Sequence, residues 1–207
     1  RRVLFRSTPR WMENAYAALH EEFGFRHRRK IPVIVYGTPN LFQQTNVILE
    51  VLPEGVGGFT ELFKNRVVVP FTGSPAEYRH VLHHELVHAF QFGILYDGYA
   101  GALLRNAGVQ MPLWFAEGLA EYLSSGWNAE SDMFMMDRAV YGTVPPPGPR
   151  LGGYMAYKGG QSFLHFLHKS RGDSVFHHFL RTFRDVKKAD VALERTYGME
   201  VSELGKH

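Results

Sequence analysis

The chain has no cysteine among its 207 residues. Disulfides, cysteine nucleophiles and thiolate metal sites are therefore excluded, and any metal must be held by histidine or carboxylate side chains. No apolar run approaches the roughly 20 residues that a membrane-spanning helix needs. There is also no general excess of one charge. The formal net charge is +3, and Arg1, Arg2, Arg6 and Arg10 crowd the start of the chain. Without those arginines the balance turns slightly negative, which argues against a nucleic-acid-binding surface. A second basic cluster, Arg26, Arg28, Arg29 and Lys30, reads as a solvated loop. Neither an internal repeat nor a signal peptide is visible. The chain reads as a fragment of a longer protein, with residues 1–8 expected to be disordered or non-native.

What is present is globular in composition, 45% hydrophobic and 21% charged, enough for one sizeable core or a core with a small appended lobe. An amphipathic helix is predicted from Pro9 to Phe23, and a β-branched strand in "IPVIVYG". Thr38 caps a short helix in "TPNLFQQT", and "GGFTELFKNRVVVPF" reads as a hairpin. A long helix follows, with Ser74 as cap, Pro75 at its first position and Glu77 at capping-box spacing. "MPLWFAEGLAEYLSSG" and "ESDMFMMDRAV" are further helices, "VPPPGPRLGG" is a loop, and the pattern from Met155 onward is helical, broken at "RGD" and "YG". The expected class is α+β. A small mixed α/β lobe with an edge strand (9–73) precedes a mainly helical lobe (74–207), with the histidine-bearing helix at the junction.

That helix contains "HELVH", residues 84 to 88. Side chains four apart on a helix lie about 40° apart and can converge on one atom. Tyr78, Leu82, Leu86, Ala89 and Gly93 centre on the opposite side, so His84 and His88 lie off the core stripe. Two imidazoles one turn apart suit Zn²⁺, and the intervening Glu85 reaches the water that the ion acidifies. His80 and His83 lack a glutamate in the corresponding place.

A catalytic zinc needs a third protein ligand and an open position. "WFAEGLAEY" supplies Glu117 and Glu121, four apart on one helix face. One serves as ligand and the other receives the second ring N–H of a ligating histidine. Glu117 is taken as the ligand and Glu121 as its support; the reverse assignment is the alternative. His165, His168, His177 and His178 read as helix-face residues.

"HELVH" followed by "WFAEGLAEY" resembles the gluzincin metallopeptidases, and within them the peptidase-MA-like domains that precede a TolB-type β-propeller in bacterial envelope proteins. The resemblance covers roughly residues 31 to 207. It implies one zinc per chain on His84, His88 and Glu117, with Glu121 supporting the first metal histidine. The stretch from His88 to Glu117 is longer than in thermolysin- or aminopeptidase-like members, which implies an insertion around "LYDGYAGALLRNAGVQ". "AYKGGQSFLHFL" is similar to a family helix start whose Tyr hydroxyl stabilises the oxyanion, matching Tyr157 with Gly160; Tyr154 is the other candidate. The hairpin matches the position of the substrate-binding edge strand, with Gly57, Gly58, Phe59 and Thr60 as contacts. Glu61 differs in offset from the aminopeptidase glutamate that holds a free amine. A periplasmic or cell-envelope location and a C-terminal β-propeller are further implications.

Two functional readings follow. In the first, the chain is a zinc metallopeptidase that hydrolyses peptide bonds of a peptide or protein substrate, with Glu85 as general base. In the second, it is an inactive zinc-containing module that binds a peptide or partner domain. Glu85 favours the enzyme, because a binding module has no need of a base. A purely structural zinc is disfavoured, since closed sites usually have four protein ligands.

Overall fold

Ser74 accepts a hydrogen bond from the Glu77 N–H at 3.3 Å, and Thr38 accepts one from the Leu41 N–H at 3.3 Å. Both helix starts thus form where the capping residues place them. The structure, a computed structural model, describes residues 2–45, 57–62, 64–96, 111–145, 148 and 151–198. Most of the segment expected as an insertion, part of the proline-rich loop and the C-terminal end lie outside the described residues.

Eight helices and three strands make up these residues. The first unit contains α1 (Arg2–Phe23), β1 (Val33–Tyr36), α2 (Pro39–Gln43), β2 (Phe59–Glu61), β3 (Arg66–Pro70) and most of α3 (Pro75–Tyr96). The second contains α4 (Leu113–Ser125), α5 (Ala129–Val140), α6 (Tyr154–Arg171), α7 (Asp173–Val186) and α8 (Ala189–Tyr197). The compact units are Arg1–Glu21 with Phe25–Gly93, and Glu22–Gly24 with Ile94–His207. A mainly helical chain with one small mixed sheet is α+β, as the sequence pattern predicts.

In the first unit the strand order is β1-β3-β2. β1 runs parallel to β3, and β2 antiparallel to it, with Thr60 opposite Val67 and Glu61 opposite Arg66. Arg66 Nε donates to Glu61 at 3.0 Å across the hairpin, and the Lys64 N–H donates to the same carboxylate. Glu61 thus closes the turn. Asn65, at φ 47, takes the left-handed position in that turn, and its side-chain amide donates to the Ala89 carbonyl of α3 at 3.1 Å. Val67, Val68 and Val69 of the central strand are fully buried. Helix α1 begins at Arg2 rather than at Pro9, so Pro9 lies inside it. Its ring removes one backbone donor there, and the helix continues through it.

The second unit is built on a close helix crossing. A Cβ placed on Gly160 of α6 would lie 2.1 Å from the Trp114 carbonyl oxygen of α4, and one on Gly118 would lie 2.4 Å from the Gly160 carbonyl carbon. Glycine at both positions lets the two backbones touch. Around the crossing, Phe115 packs on Phe179 and Phe183 of α7, with ring centroids 5.9 and 4.9 Å apart.

Candidate metal centre

Helix α3 has no wet face through its middle. Leu86, Val87, Ala89 and Phe90 are buried, and so are His84, at 8% exposure, Glu85, at 6%, and Gln91, at 0%. Polar groups buried to this degree need partners, and the partners define the site.

The Nε2 atoms of His84 and His88 lie 3.2 Å apart. Two nitrogens bound tetrahedrally to one zinc at 2.0–2.1 Å would be about 3.3 Å apart, so the pair fits the ion. His88 Nδ1–H donates to Gln91 Oε1 at 2.8 Å. That bond fixes the tautomer in which Nε2 keeps its lone pair for a metal. Gln91 is absent from the sequence-based site. Its signal was there: a polar residue three positions after His88, on the same helix face.

Glu85 has a specific neighbour on the hairpin. Thr60 Oγ1 lies 2.8 Å from Glu85 Oε2 and 2.8 Å from the Glu85 backbone oxygen, within donating reach of both. The strand can come this close because of Gly58. A Cβ there would meet Val81 Cγ1 at 2.9 Å, Val69 Cγ1 at 3.0 Å and Glu85 Cγ at 3.2 Å. β2 is an edge strand among the described residues, hydrogen-bonded to β3 alone. Gly57 and Gly58 lead into it, and the Phe59 ring rests against Phe42 at 5.6 Å. Thr60, expected as a substrate contact, thus turns its side chain to Glu85.

His83 has a different character. Its Nε2 is buried without a hydrogen-bond partner among the described residues. Burial, and then the neighbouring His80 and His84, lower its pKa to about 4. A half-buried ring held neutral in this way takes no part in the donor sets.

Within the second unit, Glu121 of α4 meets Lys158 of α6, with Oε2 and Nζ 3.2 Å apart and both side chains buried. Lys158 Nζ also donates to Ser131 Oγ at 3.2 Å, and Ser131 Oγ donates to Gln161 Oε1 at 2.8 Å. The ammonium compensates the buried carboxylate, and the network joins α4, α5 and α6. Lys158 and Gln161 were not singled out in the sequence, because nothing local marks a lysine as buried.

Tyr154, the first residue of α6, is half exposed and donates to Glu130 Oε1 at 3.1 Å, with its ring edge-on to Phe134. Tyr157 lies one turn further on and is half-buried. The downstream histidines have structural neighbours: His165 stacks on Trp127, His168 bridges Tyr122 and Asp173, and His177 pairs with Glu22.

Two overlapping groups of side chains could hold a metal ion: His84, His88 and Glu117, and His80, His84 and Glu121. Within each group the ligand atoms all lie within 4.8 Å of one another. The first is the set expected from the sequence. The second adds His80, which sits one turn before His84. No protein-family model, curated protein or solved structure matches this chain.

Proposed function

We propose that the chain is a zinc-dependent metallopeptidase of the gluzincin type. The observation that carries this reading is the donor set of His84, His88 and Glu117, whose histidine tips lie 3.2 Å apart on the helix that also bears the buried Glu85. When bound, zinc supplies Lewis acidity toward both water and a peptide carbonyl. Glu85 takes the proton that the attacking water releases as its oxygen bonds to the carbonyl carbon. It then delivers that proton to the amine nitrogen as the C–N bond breaks. Gln91 holds His88 in the ligating tautomer. Glu121, paired with Lys158, supports the first metal histidine, His84, in the role that the resemblance gives it. The Tyr157 hydroxyl donates to the oxyanion, the role that the resemblance gives it, with Tyr154, whose hydroxyl donates to Glu130, as the other candidate. The edge of β2 that is unpaired among the described residues, entered through Gly57 and Gly58 and carrying Phe59 and Thr60, adds an extended peptide as one more strand. By the same resemblance the whole protein belongs to the bacterial envelope, with a β-propeller after this domain.

The test is metal analysis of the purified protein with a peptide-library cleavage assay, with and without chelator. About one zinc per chain and chelator-sensitive cleavage are expected. His84→Ala and His88→Ala each remove the zinc and lower the melting temperature. Unchanged zinc in both variants would sink the ligand assignment. Zinc at full occupancy with no peptide cleaved would instead establish the binding-module reading.

Thr60 supplies a second prediction. Its hydroxyl engages one oxygen of Glu85 and leaves the other for the proton being moved. Thr60→Val keeps the shape and removes the donor, which lets the carboxylate rotate away. We expect kcat to fall by roughly 10–10² with KM and zinc content nearly unchanged, as a misplaced catalytic group costs about that much. Thr60→Ser restores most of the rate. Equal kcat values in the valine and wild-type proteins would show that Glu85 is positioned by something else.

A further inference from the structure

The first unit holds a cavity of about 620 Å³ that takes no part in the chemistry above. Its floor is apolar, formed by Met12 of α1, Ile31, Val33 and Val35 leading along β1, and Leu86 of α3. Val33 and Val35 are two apart on a strand and so share one sheet face. A parallel pair such as β1 and β3 normally has both faces covered, yet all four residues of β1 are only half-buried. The cavity lies where that cover is incomplete, and its volume is in the range of small-ligand sites.

The rim has the opposite chemistry. Arg26, Arg28, Arg29 and Lys30 line it, against a single acid, Glu13. Arg26, Arg29 and Lys30 make no ion pair or hydrogen bond among the described residues. Three cations without partners among the described residues, beside an apolar pit, are complementary to a molecule with an anionic head and a hydrocarbon tail. An inorganic anion would satisfy the rim and leave the floor wet. A neutral lipid would fill the floor and leave the cations unused. A cluster that looks in the sequence like a solvated loop thereby acquires a ligand chemistry.

We propose that this cavity binds one medium-chain fatty acid, its carboxylate at the Arg26, Arg29 and Lys30 rim and its chain against Val33, Val35 and Met12. The proposal needs neither zinc nor turnover, so it stands or falls independently of the peptidase reading.

The experiment is isothermal titration of the whole chain with sodium dodecanoate below its micelle concentration, with dodecyltrimethylammonium and acetate as controls. One dodecanoate per chain is expected, with neither control binding. The double variant Arg29→Glu/Lys30→Glu, at exposed positions outside the core, weakens binding by roughly 10-fold or more, the scale of losing and reversing two surface charge contacts. Val35→Trp fills the pit and abolishes binding while circular dichroism is retained. Should the tryptophan variant fail to fold, the double variant still decides. Absence of saturable dodecanoate binding would overturn the proposal, as would equal binding of the cationic amphiphile or an unaltered affinity in the double variant. Binding only to anionic-lipid vesicles, in proportion to their surface, would also overturn it and make the cluster a membrane-surface patch.

Discussion

Glu85→Gln is expected to leave about one zinc per chain in place and to lower peptide turnover by roughly 10²–10⁴-fold, the usual contribution of a positioned general base. The argument is one of isosteric exchange. Glutamine has the length and shape of glutamate, and its amide oxygen still accepts the bond that Thr60 Oγ1 makes at 2.8 Å. None of His84, His88 and Glu117 is altered, so the donor set remains complete. The variant loses only the ability to take a proton. The loss therefore falls on kcat and kcat/KM together, with KM little changed. Steady-state hydrolysis of any peptide the wild-type protein cleaves, with zinc measured on the same samples, is the check. A glutamine variant with wild-type turnover would remove Glu85 from the mechanism. A variant that also lost its zinc would show that the side chain is a ligand and not the base.

Gly160→Ala and Gly118→Ala are expected to destabilise the fold by about 3 kcal/mol or more, the upper end of what overpacking a tight contact costs. Each added methyl would overlap backbone, with the Trp114 carbonyl oxygen at 2.1 Å in one case and the Gly160 carbonyl carbon at 2.4 Å in the other. A flexible side chain could swing away. A helix backbone can yield only by moving the whole of α4 from α6, which also parts Glu121 from Lys158. For a chain of this size the melting temperature should fall by roughly 6–12 °C. Gly152→Ala is the control, since a Cβ there meets nothing within 4 Å; it should stay within about 0.5 kcal/mol. A Gly160 variant that melts with the wild type would mean that the two helices do not cross this closely. The physical work of Gly118 in "EGLAE" and of Gly160 in "YKGG" is to bring two helices into backbone contact.

Much of the architecture was legible. Ser74, Pro75 and Thr38 mark helix starts because capping is a matter of neighbouring residues. The "FKN" hairpin and the break at "RGD" were readable for the same reason. The break between α7 and α8 was not. Lys187 ends α7 in the left-handed conformation at φ 59, and a lysine carries no signal for a position that glycine usually fills. The start of α1 at Arg2 was also missed, because a proline reads as a first-turn residue and not as the interior of a helix.

The amino-acid sequence by itself determined the chemistry available. Without cysteine, a metal has only imidazole and carboxylate to bind, and the spacing of His84 and His88 places both rings on one side of a helix. That inference holds before any tertiary contact, since about 100° per residue is a property of the backbone alone. The tertiary structure decided which side chains hold the site in order. Thr60 on Glu85 and Lys158 on Glu121 join residues 25 and 37 positions apart. The burial of Lys158 and the cavity beneath Arg29 and Lys30 arise in the same way, from segments that packing alone brings together. Helical phase is set by covalent geometry within a few residues, whereas burial and long-range partnership exist only once distant segments have displaced the water between them.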